Sequence, residues 1–196
     1  MNVSDTELSN IATHEGIRYA PYYDQRGYSI ADGHFTGVAD EGDYSAFDAD
    51  MQAHGITPDA NRNITYADIL TLLRGDVATV VNDEINWLTV SLTQGQFDAL
   101  VDFGYGAGVG AMKQAITFVN AENLQGAASL IQSWVHDSNG NVIANLVPLR
   151  NATAAALLNT TPTTSEAGFG LIAGIIIGGL ALNELYKYAK EKGYVR

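Results

Sequence analysis

A chain of 196 residues with 46% apolar content suffices for one ordinary core with an appendage, and two full domains would be cramped. Its formal charge of −12 argues against nucleic acid as the main partner, because phosphate binding requires clustered Lys and Arg. Cysteine is absent, which excludes disulfides, a thiol nucleophile and thiolate metal ligands.

The opening "MNVSDTELSN" is acidic and polar, so a cleaved secretory leader is not expected. Ser4 followed by Glu7 has the spacing of a capping box, and a first helix is predicted from about residue 5 to near Gly16. Leu8 and Glu15 are seven positions apart, so at about 100° per residue they project to one side of that helix. A carboxyl group at the end of an apolar stripe is expected to have a raised pKa, since desolvation disfavours its charged form. From Arg18 to Asp32 the pattern changes to tyrosines and small residues, predicting a β-hairpin or small sheet. Within it "DQRG" has the residues of a type I turn, with Asp24 ionised in polar surroundings. Residues 36–62 are rich in Asp, Gly and Ala and read as an enlarged loop.

Thr65 with Asp68 caps a long helix whose positions Ile69, Leu72, Leu73, Val77, Val80 and Val81 follow the 3.6 period, with Asp76 on the same face. Thr93 with Gln96 starts another, running through Phe97, Leu100 and Val101 into "FGYGAGVGA". A further helix carries Leu124, Ala127, Ala128, Ile131 and Trp134, "SNGN" makes a turn, and 150–158 form a closing helix. Trp87 and Trp134 have apolar neighbours at helical spacing and are assigned to the core, while His14, His54 and His136 are scattered and suggest no metal site. The sum is an α+β domain over 1–158, a small antiparallel sheet followed by a helical lobe.

Residues 159–166, "NTTPTTSE", have the composition of a linker, and 167–182, "AGFGLIAGIIIGGLAL", carry no charge. Gly170, Gly174 and Gly178 recur every four residues, a small-residue face suited to self-association or to packing on another membrane protein. The run is shorter than the roughly 20 residues of a usual spanning helix, which leaves open membrane insertion and burial in a protein assembly. Residues 183–196 carry a net +2 and everything before them −14, a polarity that would put the basic tail on the cytoplasmic side and the preceding domain in the periplasm.

Glu15 on an apolar face and Asp24 in a polar turn are two carboxyls whose surroundings push their pKa values apart, the combination that glycoside hydrolysis uses. The string Glu15-Gly16, Arg18, Tyr22 or Tyr23, Asp24, Gly27, Ser29-Ile30 and Gly33-His34 resembles the "EG-R--AY-D--G--TIG-GH" run of the phage lysozyme and endolysin family of muramidases. The resemblance continues through "ITYADILTLLRGDVATVV", "LTQGQFDALVDFGYGAGVGAM", "LQGAASLIQSWV" and "NLVPLRNATAAALL", covering residues 4–158. It implies a lysozyme-like α+β fold and hydrolysis of the β-1,4 bond between N-acetylmuramic acid and N-acetylglucosamine in bacterial peptidoglycan, with no metal or cofactor. Glu15 would be the general acid and Asp24 the second carboxylate, with Ser29 standing where the family has a threonine; Asp24 and Ser29 would manage the water or the cationic transition state. Phe35 and Tyr105 fall where the family lines its sugar groove, and His34 would form a structural salt bridge with Asp76. Ala31-Asp32 replaces the family's usual Gly and apolar residue. Family and tail together predict a virion-associated enzyme tethered by its C-terminal helix for cell-wall penetration. An inactive fold kept as a virion or glycan-binding component, and a membrane-anchored endolysin for host lysis, are the alternatives.

Overall fold

The computed structural model describes residues 1–159, apart from the side chains of Asn82 and Asp83. The linker, the apolar glycine-rich segment and the basic tail lie outside the described residues. Among those described, no helix is long and apolar enough to cross a membrane. The described chain is α+β, with one three-stranded antiparallel sheet and seven helices. It divides into two compact units: residues 8–76, and residues 1–7 with 77 onward.

The first of these units opens on most of α1 (Asp5–Glu15), whose Leu8, Ile11 and Ala12 are buried. Strands β1 (Arg18–Tyr23), β2 (Gly27–Ala31) and β3 (His34–Val38) follow in the spatial order β1-β2-β3. Pro21 lies on the edge strand β1, where its missing N–H costs no ladder bond, and the register shifts between Arg18 and Tyr22 around it. The stretch read as an enlarged loop contains the end of β3 and a helix, α2 (Ser45–Ala53). Only two apolar residues carry this helix, Phe47 and Met51; they are one turn apart, fully buried, and belong to a cluster with Tyr28, Ile30, Ile69 and Leu72. A stripe that short among aspartates has too little periodicity to stand out in the sequence.

Thr65 and Asp68 cap α3 (Tyr66–Ile85) reciprocally: Asp68 Oδ2 accepts from the Thr65 N–H at 2.8 Å, and Thr65 Oγ1 accepts from the Asp68 N–H at 3.3 Å.

In the other unit Ser4 caps α1: its Oγ accepts from the Glu7 N–H at 3.1 Å, and its own N–H donates to Asp98 Oδ1 at 3.1 Å. Thr93 and Gln96 form the complete box at the start of α4 (Gln94–Ala107). Gly108, at φ 88, ends α4 and begins α5 (Val109–Asn120), so the glycine-rich stretch is a break between two helices. Helix α6 (Leu124–Ser133) follows, and α7 (Leu146–Leu158) begins four residues before the expected 150, with Pro148 in its first turn, where no intrahelical N–H bond is lost. Helix α4 packs on α5 and α7, and α6 on both of these.

The two tryptophans correct the sequence assignment. Trp87 is 46% exposed in the turn after α3, with Lys113 Nζ 3.6 Å from its ring centre, and Trp134 is 38% exposed as the C-cap of α6, edge-on to Phe103. Each stands just past the end of a helix, where periodicity no longer decides what is buried.

Candidate active site

Glu15 closes α1 because Gly16 follows it at φ +81, a left-handed conformation that an L side chain rarely adopts and that stops the helix. The Glu-Gly pair therefore places a carboxylate in the final turn of a helix whose inward stripe is Leu8, Ile11 and Ala12. Glu15 is half-buried at the end of that stripe.

Asp24 and Ser29 are brought together by the β1–β2 hairpin. Tyr23 pairs with Tyr28 and Tyr22 with Ser29, and the Asp24 N–H donates to the Gly27 carbonyl at 2.9 Å, so only Gln25 and Arg26 form the loop. Gln25 has φ 71. This overturns the type I expectation: a two-residue hairpin needs a left-handed residue at the first loop position so that its twist matches the right-handed twist of the strands. Gly27 is required next, since a Cβ there would collide with the Gly37 carbonyl oxygen of β3. Ser29 is 2% exposed, and its Oγ donates to Asp24 Oδ2 at 3.2 Å. The hydroxyl, which lacks the γ-methyl of a threonine, is oriented by that bond.

His34, on β3, lies between two carboxylates. Its Nδ1 is 2.8 Å from Asp76 Oδ2 and its Nε2 is 2.9 Å from Asp50 Oδ2. Burial lowers the pKa of this imidazole, but hydrogen bonding and charge from Asp76, then from Asp50, outweigh it and raise the value to about 9. Asp76 is half-buried on α3, in the position paired with His34 from the sequence. Asp50 escaped the sequence reading because α2 did; the signal that was available is the Phe47 and Met51 spacing, which puts Asp50 and His54 one turn apart on the same helix. His54, read as isolated, has its ring centre 5.4 Å from that of His34.

Phe35 is half-buried beside Arg26, whose guanidinium carbon is 5.5 Å from its ring centre. Tyr105 is half-buried on α4, in the other unit. The next residue, Gly106, faces Arg150: a Cβ there would stand 3.2 Å from Nη2, so the small residue leaves room for that guanidinium.

The ordered carboxylates, the hairpin hydroxyl and the His–Asp pair lie within residues 12–153, which match the family model described as phage lysozyme. The chain belongs to the phage lysozyme family. Among relatives of this family, the endolysin of Bacillus phage B103 is 32% identical over 155 residues, covering 76% of this chain and 51% of the relative. The endolysin of Bacillus phage PZA is 29% identical over 174 residues, covering 86% and 59%. The chain thus spans little more than half the length of these relatives. A P22 lysozyme mutant resembles the fold with a TM-score of 0.62 at 27% identity, covering 81% of this chain and 99% of its own. The muramidase domain of SpmX from Asticaccaulis excentricus gives 0.61 at 25%, covering 81% and 98%.

Proposed function

We propose that this phage lysozyme relative is a peptidoglycan hydrolase, a muramidase that cleaves the β-1,4 bond between N-acetylmuramic acid and N-acetylglucosamine. The observation that carries this reading is the Ser29 Oγ to Asp24 Oδ2 hydrogen bond at 3.2 Å, within the Glu-to-Asp spacing of the family. Glu15, at the end of an apolar stripe, protonates the leaving glycosidic oxygen. Asp24 is the second carboxylate. With its proton directed to Asp24, the Ser29 hydroxyl offers its lone pairs to a water, so carboxylate and hydroxyl together orient that water toward the anomeric carbon and Asp24 receives its proton. Phe35 in one unit and Tyr105 in the other are each half-buried aromatic rings of the kind that stack on sugars.

The test is reducing-sugar release from purified peptidoglycan by the full chain beside Glu15→Gln. Release that ends in N-acetylmuramic acid and is abolished by the substitution supports the muramidase; no release by folded wild-type protein that still sediments with cell wall would make it a glycan-binding component instead.

The uncharged run 167–182 with its recurring glycines supports tethering to a virion or membrane, with the enzyme facing the periplasm in the membrane case. The names of the two Bacillus phage relatives favour an endolysin acting in host lysis. Immunoblotting purified particles against lysate separates these roles: a band that stays with the particles through density centrifugation supports the virion tether, and its absence there supports lysis.

A further inference from the structure

We propose that His34, Asp50 and His54 form a binding site for a divalent transition ion, with Zn2+ as the type ligand. One ligand atom from each of the three residues lies within 4.8 Å of the others. Asp50 Oδ2 is the centre of the set, 2.9 Å from His34 Nε2 and 3.6 Å from His54 Nδ1. Ligand atoms about 2.0–2.2 Å from a tetrahedral zinc are roughly 3.3–3.5 Å from one another, so the separations bracket the required value. Two adjustments are needed: the His34–Asp50 pair opens by about 0.5 Å as an ion takes the place of the proton between them, and His54, whose side chain is 33% exposed at the C-cap of α2 and followed by Gly55 at φ +70, gives up the 2.9 Å contact of its Nδ1 with the Asp50 carbonyl oxygen.

Two imidazoles and a single carboxylate select a borderline transition ion over Mg2+ or Ca2+, which take oxygen ligands. His34 is already oriented from behind: its Nδ1 is 2.8 Å from Asp76 Oδ2, so its Nε2 is directed toward Asp50. A histidine ligand whose other nitrogen donates to a carboxylate is the usual support of a protein zinc site. Asp50 and Asp76 also supply two negative charges to balance a dication. The side chains of His34 and Asp50 are 9% and 21% exposed, while His54 faces outward, so water completes the coordination on that side. The ion replaces the proton on His34 Nε2 and ties β3 to the end of α2, within residues 8–76. Neither Glu15, Asp24 nor Ser29 takes part, so the site is independent of the hydrolytic reading.

The full chain, stripped with chelator, would be titrated with ZnCl2 by calorimetry beside His54→Gln and Asp50→Asn, with MgCl2 as the comparison ion. Expected are one equivalent of Zn2+, no comparable Mg2+ binding, and at least tenfold weaker Zn2+ binding in both variants. The imidazole NMR signals of His34 and His54 should shift together while those of His14 and His136 stay in place. Zn2+ at a hundredfold excess over Kd should raise Tm by roughly 5–10 °C in the wild type. His54→Gln removes an exposed side chain, so it should keep its metal-free Tm and lose that rise. Equal Zn2+ affinity in wild type and His54→Gln, binding that moves only His14 or His136, or no binding at millimolar Zn2+ would each overturn the site.

Discussion

Raising the pH should remove stability that protonated His34 supplies. A pKa raised from 6.5 to about 9 is worth on the order of 3 kcal/mol, at about 1.4 kcal/mol per tenfold difference in proton affinity. Because the folded value is the higher one, this stability is fully present below pH 6.5 and is lost as the pH rises through about 9. Side chains of Asp50 and Asp76 are 21% and 29% exposed, so solvent screening makes 3 kcal/mol an upper figure. The assay is thermal unfolding at pH 6 and pH 9.5 with chelator present, for the wild type and for His34→Asn, which removes the titrating ring. The stability difference between the two proteins should shrink by up to about 3 kcal/mol between these pH values, or roughly 6–12 °C in Tm for a chain of this size. Asp76→Asn should lose more of the pH dependence than Asp50→Asn, since Asp76 contributes more to holding the proton. A difference between wild type and His34→Asn that is the same at both pH values would refute the reasoning.

Ala31, buried at φ 57, stands where the resembling family has glycine, so Ala31→Gly should relieve left-handed strain and raise stability by about 1 kcal/mol, or roughly 2–4 °C in Tm. Gly27→Ala should cost about 3 kcal/mol or more by driving a methyl group into the Gly37 carbonyl, seen as a collapse of Tm or of soluble yield. With a net charge of −14 in residues 1–182, activity on anionic cell wall should be higher at marine-like salt than in dilute buffer; steady loss of reducing-sugar release with added salt would contradict this.

Much of this protein was determined locally and was legible in the sequence. Thr65 with Asp68 and Thr93 with Gln96 mark helix starts because a cap is satisfied within four residues of chain, and Gly16 marks the stop after Glu15 because only glycine enters the left-handed region without strain. The strands between Arg18 and Ala31 were legible for the same reason, as a run of tyrosines broken by turn residues. The tertiary structure alone decided the rest. Helix α2 exists because Phe47 and Met51 find a sheet to cover, an energy of burial that no nearby residue announces. Its placement brings Asp50 and His54 to His34, across 16 and 20 positions of chain. The Ser4 N–H reaches Asp98, 94 positions along the chain, and the left-handed Gln25 follows from the twist of the strands it joins. Local hydrogen bonds and backbone sterics are written in neighbouring residues, whereas burial and long-range charge pairing depend on which surfaces the fold brings together.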